Sequence, residues 1–322
     1  MFPGASQSAA TACGYRVMVA TTALCRGTRH GDAVPGGVVH RPEPDVLASP
    51  HTPRVHPLLR AAAVRQHGVF TATDAHRAGY DHPEIRRLCA SGRWHRLRRG
   101  VYVTAAGLAR IEAEGRRHQL ECLAVLLALG RPTAALSHRS AARLSGFALR
   151  RRSGGDIRLT DPTHNRRGRG FVVTRAPLDA DEVRTIGPFR LTTAARTLID
   201  CAREWPLEDT VVAMDSALLT RKVTEPELQR ALERARRWRG GSQAVRAVAL
   251  TDGRAESPLE TRGRLRIVGA GLPAPELQVE IRAEGRLVAV VDAWFDAAVA
   301  VEFDGRVKYT APWRGRSPEQ VL

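Results

Sequence analysis

The stretch Val290–Lys308, VVDAWFDAAVAVEFDGRVK, alternates apolar and polar positions with a period of two, a pattern that specifies a pair of adjacent strands. Small and polar residues at Asp296-Ala297-Ala298 interrupt it, so a three-residue turn is expected there. That turn sets Val299 opposite Phe295, Glu302 opposite Asp292 and Asp304 opposite Val290. Side chains alternate across a strand, so the three carboxylates share one face, while Val299, Val301 and Phe303 share the other and read as core. Carboxylates held together beside apolar neighbours repel and are poorly solvated; a shared proton or a hard divalent cation relieves them. A Mg²⁺-type site is the expectation.

The lysine of this stretch stands out by composition. The chain has 50 Lys plus Arg, and only Lys222 and Lys308 are lysines. Arginine does not release its proton in a protein, whereas a lysine beside a reacting phosphate serves as a point charge or shifts its pKa. Lys308, four residues after Asp304, fits that role; a solvated loop lysine fits the same position.

Asp292 followed by Glu302-Phe303-Asp304-Gly305 resembles the core of the PD-(D/E)XK nuclease superfamily, in particular its very-short-patch-repair-endonuclease-like branch. The resemblance runs from about Ser257 onward. It implies a restriction-endonuclease-like α/β domain over residues 256–322, with Asp292 and Glu302 holding Mg²⁺ (or Mn²⁺) and Asp304 as a third acid. The implied chemistry is hydrolysis of DNA phosphodiesters by metal-activated water. The superfamily places a lysine two residues after the Glu; Asp304 occupies that place here, and Lys308 is the candidate substitute. Upstream, Ser257-Pro258-Leu259-Glu260 opens a helix, with Ser257 as N-cap and Glu260 as reciprocal partner of a capping box. The resemblance offers Glu260 a second role as an auxiliary catalytic acid. Gly269 and Gly271 end that helix, and Leu277–Ile281 is the first strand of the domain.

Residues 55–104 read as helix, helix, helix and a two-stranded wing: Leu58–Gln66, Thr71–Arg77, His82–Ala90, then Trp94–Val103. That order is a winged helix-turn-helix. The string GVFTATDAHRAGYDHPEIRRLCASGRWHRLRRGVYV resembles the N-terminal domain of type IV abortive-infection antitoxins, which implies DNA as a partner and a toxin protein as another. Residues 56–110 hold ten Arg against three acids, a net of +7. In this geometry Arg86 and Arg87 on the third helix reach base edges or phosphate, and Arg93, Arg96, Arg98 and Arg99 on the wing reach the backbone. A winged helix that contacts protein, its arginines merely solvated, is the competing reading.

Residues 111–250 read as a mixed α/β middle domain. Helices are expected at Glu112–Ala128, Ser137–Leu144, Thr193–Arg203, Leu207–Leu219 and Glu225–Trp238, the last opened by a capping box at Thr224 and Glu227. Strands are expected at 157–160, 171–174 and 189–191. No catalytic constellation is visible, and His138 reads as helical packing or capping. Residues 139–175 hold ten Arg and two acids, net +8, which is expected to extend a basic track beyond the wing; a solvated basic face is the competing reading.

The formal charge of +17 points to a polyanion, nucleic acid first, although a GC-rich coding bias toward arginine inflates it. Five cysteines without CxxC or metal-ligand spacing suggest a reduced, cytoplasmic thiol set, and the nuclease-like resemblance implies a bacterial protein. No apolar run is long enough for a membrane span. Residues 1–54, rich in Gly, Pro, Ser and Thr, are expected to be a disordered or mis-annotated extension. Ser317-Pro318-Glu319 announces a helix that Leu322 cuts short, so an incomplete nuclease-like domain is expected, with the Asp292–Phe303 hairpin as an exposed edge. The fold class expected is therefore α+β multi-domain: winged helix, mixed middle, incomplete nuclease-like end. Two functions compete, a Mg²⁺-dependent DNA endonuclease and a non-catalytic DNA-binding regulator of the antitoxin type.

Overall fold

The computed structural model describes residues 16–21, 55–149, 155–295 and 299–304. The protein is mixed α/β and multi-domain, with three sheets among the described residues. Two compact units divide the chain, Ala23–Arg131 and Met1–Thr22 together with Pro132–Leu322. No helix among the described residues is long and apolar enough to cross a membrane.

Strand β1 (Arg16–Thr21) comes first in the chain and belongs to the second unit. The first unit runs α1 (Pro57–Arg65), β2 (Val69–Thr71), α2 (Ala72–Arg77), α3 (His82–Ala90), β3 (Trp94–Arg98), β4 (Val101–Thr104), α4 (Ala105–Ala113) and α5 (Arg117–Leu129). The three helices and the hairpin stand where expected, and β2 adds a third strand in the order β2-β4-β3. Thr71 ends β2 and caps α2: its hydroxyl accepts the Asp74 N–H at 3.1 Å, and the Asp74 carboxylate accepts the Thr71 N–H at 2.9 Å. Leu59, Phe70, Ile85, Leu88 and Trp94 close the core, with Phe70 and Trp94 edge to face at 4.7 Å. The single helix expected over 112–128 is two helices. Gly115 takes a left-handed φ of +66°, open only to a residue without Cβ at little cost, and the chain turns there between α4 and α5.

The second unit continues with β5 (Ala135–Leu136), α6 (His138–Leu144), β6 (Ile157–Asp161), β7 (Arg166–Gly168), β8 (Phe171–Arg175), a 3₁₀ turn at Ala180–Glu182, β9 (Val183–Ile186) and β10 (Phe189–Thr192). These strands form one sheet in the order β7-β8-β6-β5-β10-β9. Helices α7 (Ala194–Ala202), α8 (Leu207–Leu219), α9 (Glu225–Ala235) and α10 (Gly241–Ala249) follow, packed through Leu198, Ile199, Val211, Met214, Leu228 and Leu232. Helix α9 stops three residues short of the expected Trp238, whose ring lies against the guanidinium groups of Arg196 at 4.6 Å and Arg203 at 5.0 Å. Arg196, 1% exposed, pairs with Asp200 and Glu182 beneath it.

The chain closes with α11 (Pro258–Gly269), β11 (Glu276–Ala283), β12 (Arg286–Phe295) and β13 (Val299–Asp304). Leu277, Val291, Ala293, Val301 and Phe303 form the buried face of this antiparallel sheet, beneath α11. Val301 and Phe303 point inward as their alternation requires. Two expectations fail here. Residues 16–21, placed in a disordered extension, form β1, and β1 pairs along the whole of β13, Arg16 with Asp304 through Thr21 with Val299. The hairpin is therefore no free edge, because its outer strand gives its ladder hydrogen bonds to a segment almost the whole chain away.

Candidate nucleic-acid interface

Helix α3 is opened by Asp81, whose carboxylate accepts the Glu84 N–H at 2.7 Å, with a proline in its first turn. This start sets the helix face. Ile85 and Leu88 turn into the core, and Arg86 and Arg87 stand exposed on the opposite side. Across the following turn, Trp94 anchors β3 beneath Phe70 and Tyr80, leaving Arg93, Arg96 and Arg99 exposed and Arg98 half-buried. A register shift between Arg96 and Arg98 bends the strand, and the Arg96 Nε–H donates to the Arg98 carbonyl at 3.4 Å.

Two of the three acids of this region are engaged in helix caps. Asp81 caps α3; Asp74 accepts from Thr71 and from the Gln66 amide, and although burial raises its carboxyl, the Thr71 bonds outweigh that and hold it below its ordinary value. Arg86, Arg87, Arg93, Arg96 and Arg99 form no ion pair among the described residues. All six arginines singled out from the sequence thus lie on α3 or the β3–β4 hairpin and its flanks, and five are unneutralised.

The acid hairpin is assembled in the expected register. Phe295 pairs with Val299, Trp294 with Ala300 and Ala293 with Val301, and Asp292 and Glu302 are the next residues beyond the last of these pairs. On the other side of β12, Leu277 pairs with Ala293 and Val279 with Val291, and Gln278 lies between them in sequence as Asp292 does on β12. Asp292 is half-buried and its Oδ2 accepts the Phe303 N–H at 2.7 Å. Glu260, 5% exposed, departs from its expected capping role. Ser257 caps α11 through the Glu260 N–H, but the Glu260 carboxylate reaches one residue further back to the Glu256 N–H at 2.8 Å and accepts the Gln278 amide at 3.0 Å. Gln278 adopts a left-handed φ of 53°, and no pattern in the sequence distinguished it.

One Asp292 oxygen is committed to a backbone N–H, one Glu260 oxygen to two donors, and no group of three or more His, Cys, Asp or Glu side chains among the described residues is placed to hold a metal ion. The described side chains alone do not make such a site. The Asp304 side chain and Lys308 lie outside the described residues, as does the helix start at Ser317.

A polar constellation the sequence did not reveal surrounds His138. Its backbone is left-handed at φ 48°, its Nδ1 lies 2.8 Å from the Ser137 hydroxyl and its Nε2 3.4 Å from Glu204, which Arg158 grips with both terminal nitrogens at 2.8 Å. Burial raises the Glu204 carboxyl, but the His138 and Arg158 bonds outweigh it and hold it at about 2. The order Ser, His, Glu resembles a nucleophilic triad, yet Ser137 is 0% exposed and accepts the Thr160 hydroxyl, so no substrate reaches it. The expected packing or capping role of His138 stands, and its partner Glu204 lies so far along the chain that no local pattern reveals it.

Residues 57–105 match the family described as "Transcriptional regulator, AbiEi antitoxin". Two Mycobacterium tuberculosis proteins, MT2308 and Rv2248, are each 34% identical over 125 residues, a match covering 38% of this chain and 46% of the relative. The chain spans about half the length of the curated relatives it matches. The crystal structure of the RV2827C protein from Mycobacterium tuberculosis is similar at 17% identity and a TM-score of 0.41, over 70% of this chain and 87% of that one.

Proposed function

We propose that this protein is a DNA-binding transcriptional regulator of the antitoxin kind, with residues 57–104 acting as a winged helix. One observation carries the reading: Arg86, Arg87, Arg93, Arg96 and Arg99, on α3 and the β3–β4 hairpin and its flanks, face solvent and form no ion pair among the described residues, while Asp74 and Asp81 are engaged in helix caps. A coding bias toward arginine adds charge everywhere, but it does not leave that charge unneutralised on the two elements that contact duplex DNA in such a fold. The family match over the same residues supports it, and adds a toxin protein as the partner such an antitoxin neutralises. A regulator of this kind works in the bacterial cytoplasm.

The test is titration of duplex DNA by the full chain, read by anisotropy. Arg86→Gln with Arg87→Gln is expected to cost about 1–3 kcal/mol per base-reading arginine and to relax sequence preference. Arg93→Gln and Arg96→Gln are expected to weaken all sequences alike and each lower the salt slope by about 1. Absence of duplex binding at low salt overturns the proposal.

A second reading, a Mg²⁺- or Mn²⁺-dependent endonuclease built on Asp292, Glu302, Asp304 and Lys308 with Glu260 in support, draws on the β12–β13 pairing, beyond whose Ala293–Val301 pair Asp292 and Glu302 are the next residues. Nicking of supercoiled plasmid by wild type, Asp292→Asn and Glu302→Ala decides it: metal-dependent cleavage lost in both variants supports an enzyme, and no cleavage by wild type overturns it.

A further inference from the structure

Among the described residues, the basic track over residues 139–175 is not uniform. Arg158 is neutralised by Glu204, and beyond the track Arg196, Arg203, Arg234, Arg254, Arg262 and Arg264 all pair with acids. The β7–β8 hairpin is different. From Pro162 to Leu178 the sequence has no acid, and Arg166, Arg167 and Arg175 are exposed without an ion pair among the described residues.

This hairpin is also rigidly built. Gly168 pairs with Phe171, so only Arg169 and Gly170 make the turn. A Cβ on Gly168 would come within 2.2 Å of the Phe171 ring, so glycine is what lets that ring lie flat against the strand, and the Arg166 guanidinium sits over the same ring at 5.9 Å. At the base, the fully buried Asp161 accepts from the Thr163 and His164 N–H groups at 2.9 and 3.0 Å and from the Thr133 hydroxyl at 2.8 Å, fixing the loop that leads into β7. Strand β7 is the outermost strand of its sheet.

We infer that the β7–β8 hairpin is a second duplex-DNA contact of this protein, holding backbone phosphates through Arg166, Arg167 and Arg175. A two-stranded ribbon is narrow enough for a major groove. The hairpin offers no exposed apolar anchor of the kind protein interfaces use, which disfavours a protein partner. Its one aromatic ring is engaged by Gly168 and Arg166 and offers no free platform for base stacking, which disfavours single strands. The inference rests on the DNA-binding reading above and extends it to the other unit of the chain.

The experiment measures affinity for a labelled mixed-sequence duplex against salt concentration for the full chain, for Arg166→Gln with Arg167→Gln, and for Arg86→Gln with Arg87→Gln. Each B-DNA phosphate contact contributes about 0.9 to the slope of log K against log salt, so the hairpin double variant is expected to lose about 2 from the slope with its melting temperature unchanged. An unchanged slope in that variant, with the α3 variant weakened, overturns the hairpin contact and leaves the winged-helix reading intact. No binding by wild type removes the winged-helix reading itself. Equal hairpin-dependent binding to single-stranded oligonucleotide overturns the duplex assignment. Should the double variant fold poorly, Arg167→Gln alone, an exposed position, is expected to lose about 1 from the slope.

Discussion

Asp215 lies 1% exposed where the Asp252 N–H, the Thr261 hydroxyl and the Arg264 guanidinium converge, and it ties α8 to α11. Burial pushes its carboxyl up to about 6 against the pull of those three donors. A folded-state pKa above the unfolded value of 3.8 means that protonation favours the fold, so this contribution is full below 3.8 and is lost as pH rises through about 6. Thermal melts of wild type and Asp215→Asn across that window are expected to converge at its upper end less well than at its lower end, the difference growing by on the order of 1–3 kcal/mol as the wild-type carboxylate ionises. Equal pH dependence in the two proteins would refute that account. Asp292 calls for a different reading at the same scale. Because its carboxylate accepts the Phe303 N–H, Asp292→Ala is expected to cost about 1–2 kcal/mol in urea unfolding, whereas Asp292→Asn retains an acceptor and costs less. Alanine variants at this position therefore mix stability with chemistry, and the asparagine variant separates them.

Helices were the legible elements, for local reasons. Asp81, Thr224 and Ser257 announce α3, α9 and α11 by side chains that bond within a few residues, and proline in the first turn does the same without a partner. The capping box at Thr71 and Asp74 predicts its own test: Thr71→Ala is expected to destabilise the first unit by about 1 kcal/mol, measured by chemical denaturation. Strands of two or three residues, β2, β5 and β7, were missed because so short a run carries no period to read. The hairpin of β12 and β13 was read correctly because its alternation is long and its turn is chemically marked. Gln278 and the partners of His138 were not, since nothing local distinguishes a residue whose function is to meet another far along the chain.

At the scale of the whole molecule, two predictions follow from where the units divide. Residues 55–131 carry their own core around Phe70 and Trp94, so that fragment is expected to melt cooperatively when expressed alone and to bind duplex DNA with a smaller salt slope than the full chain. Deleting residues 1–22 removes β1 and strips β13 of a row of ladder hydrogen bonds. Such a chain is expected to lose melting temperature and to aggregate in light scattering, while a chain beginning at residue 16 behaves as the full one. Equal behaviour of the two truncations would refute a structural role for β1. The sequence by itself determined the helix starts, the inward face of the hairpin, the register of Phe295 against Val299 and the concentration of arginine on α3 and the following strands, because caps, alternation and turns act over a few residues. Only the tertiary structure decided that β1 covers β13, that Glu260 holds Gln278 instead of closing a capping box, and which arginines are neutralised. Those outcomes depend on residues brought together across tens to hundreds of positions, and charge neutralisation in particular is a property of distance in space, which composition does not encode.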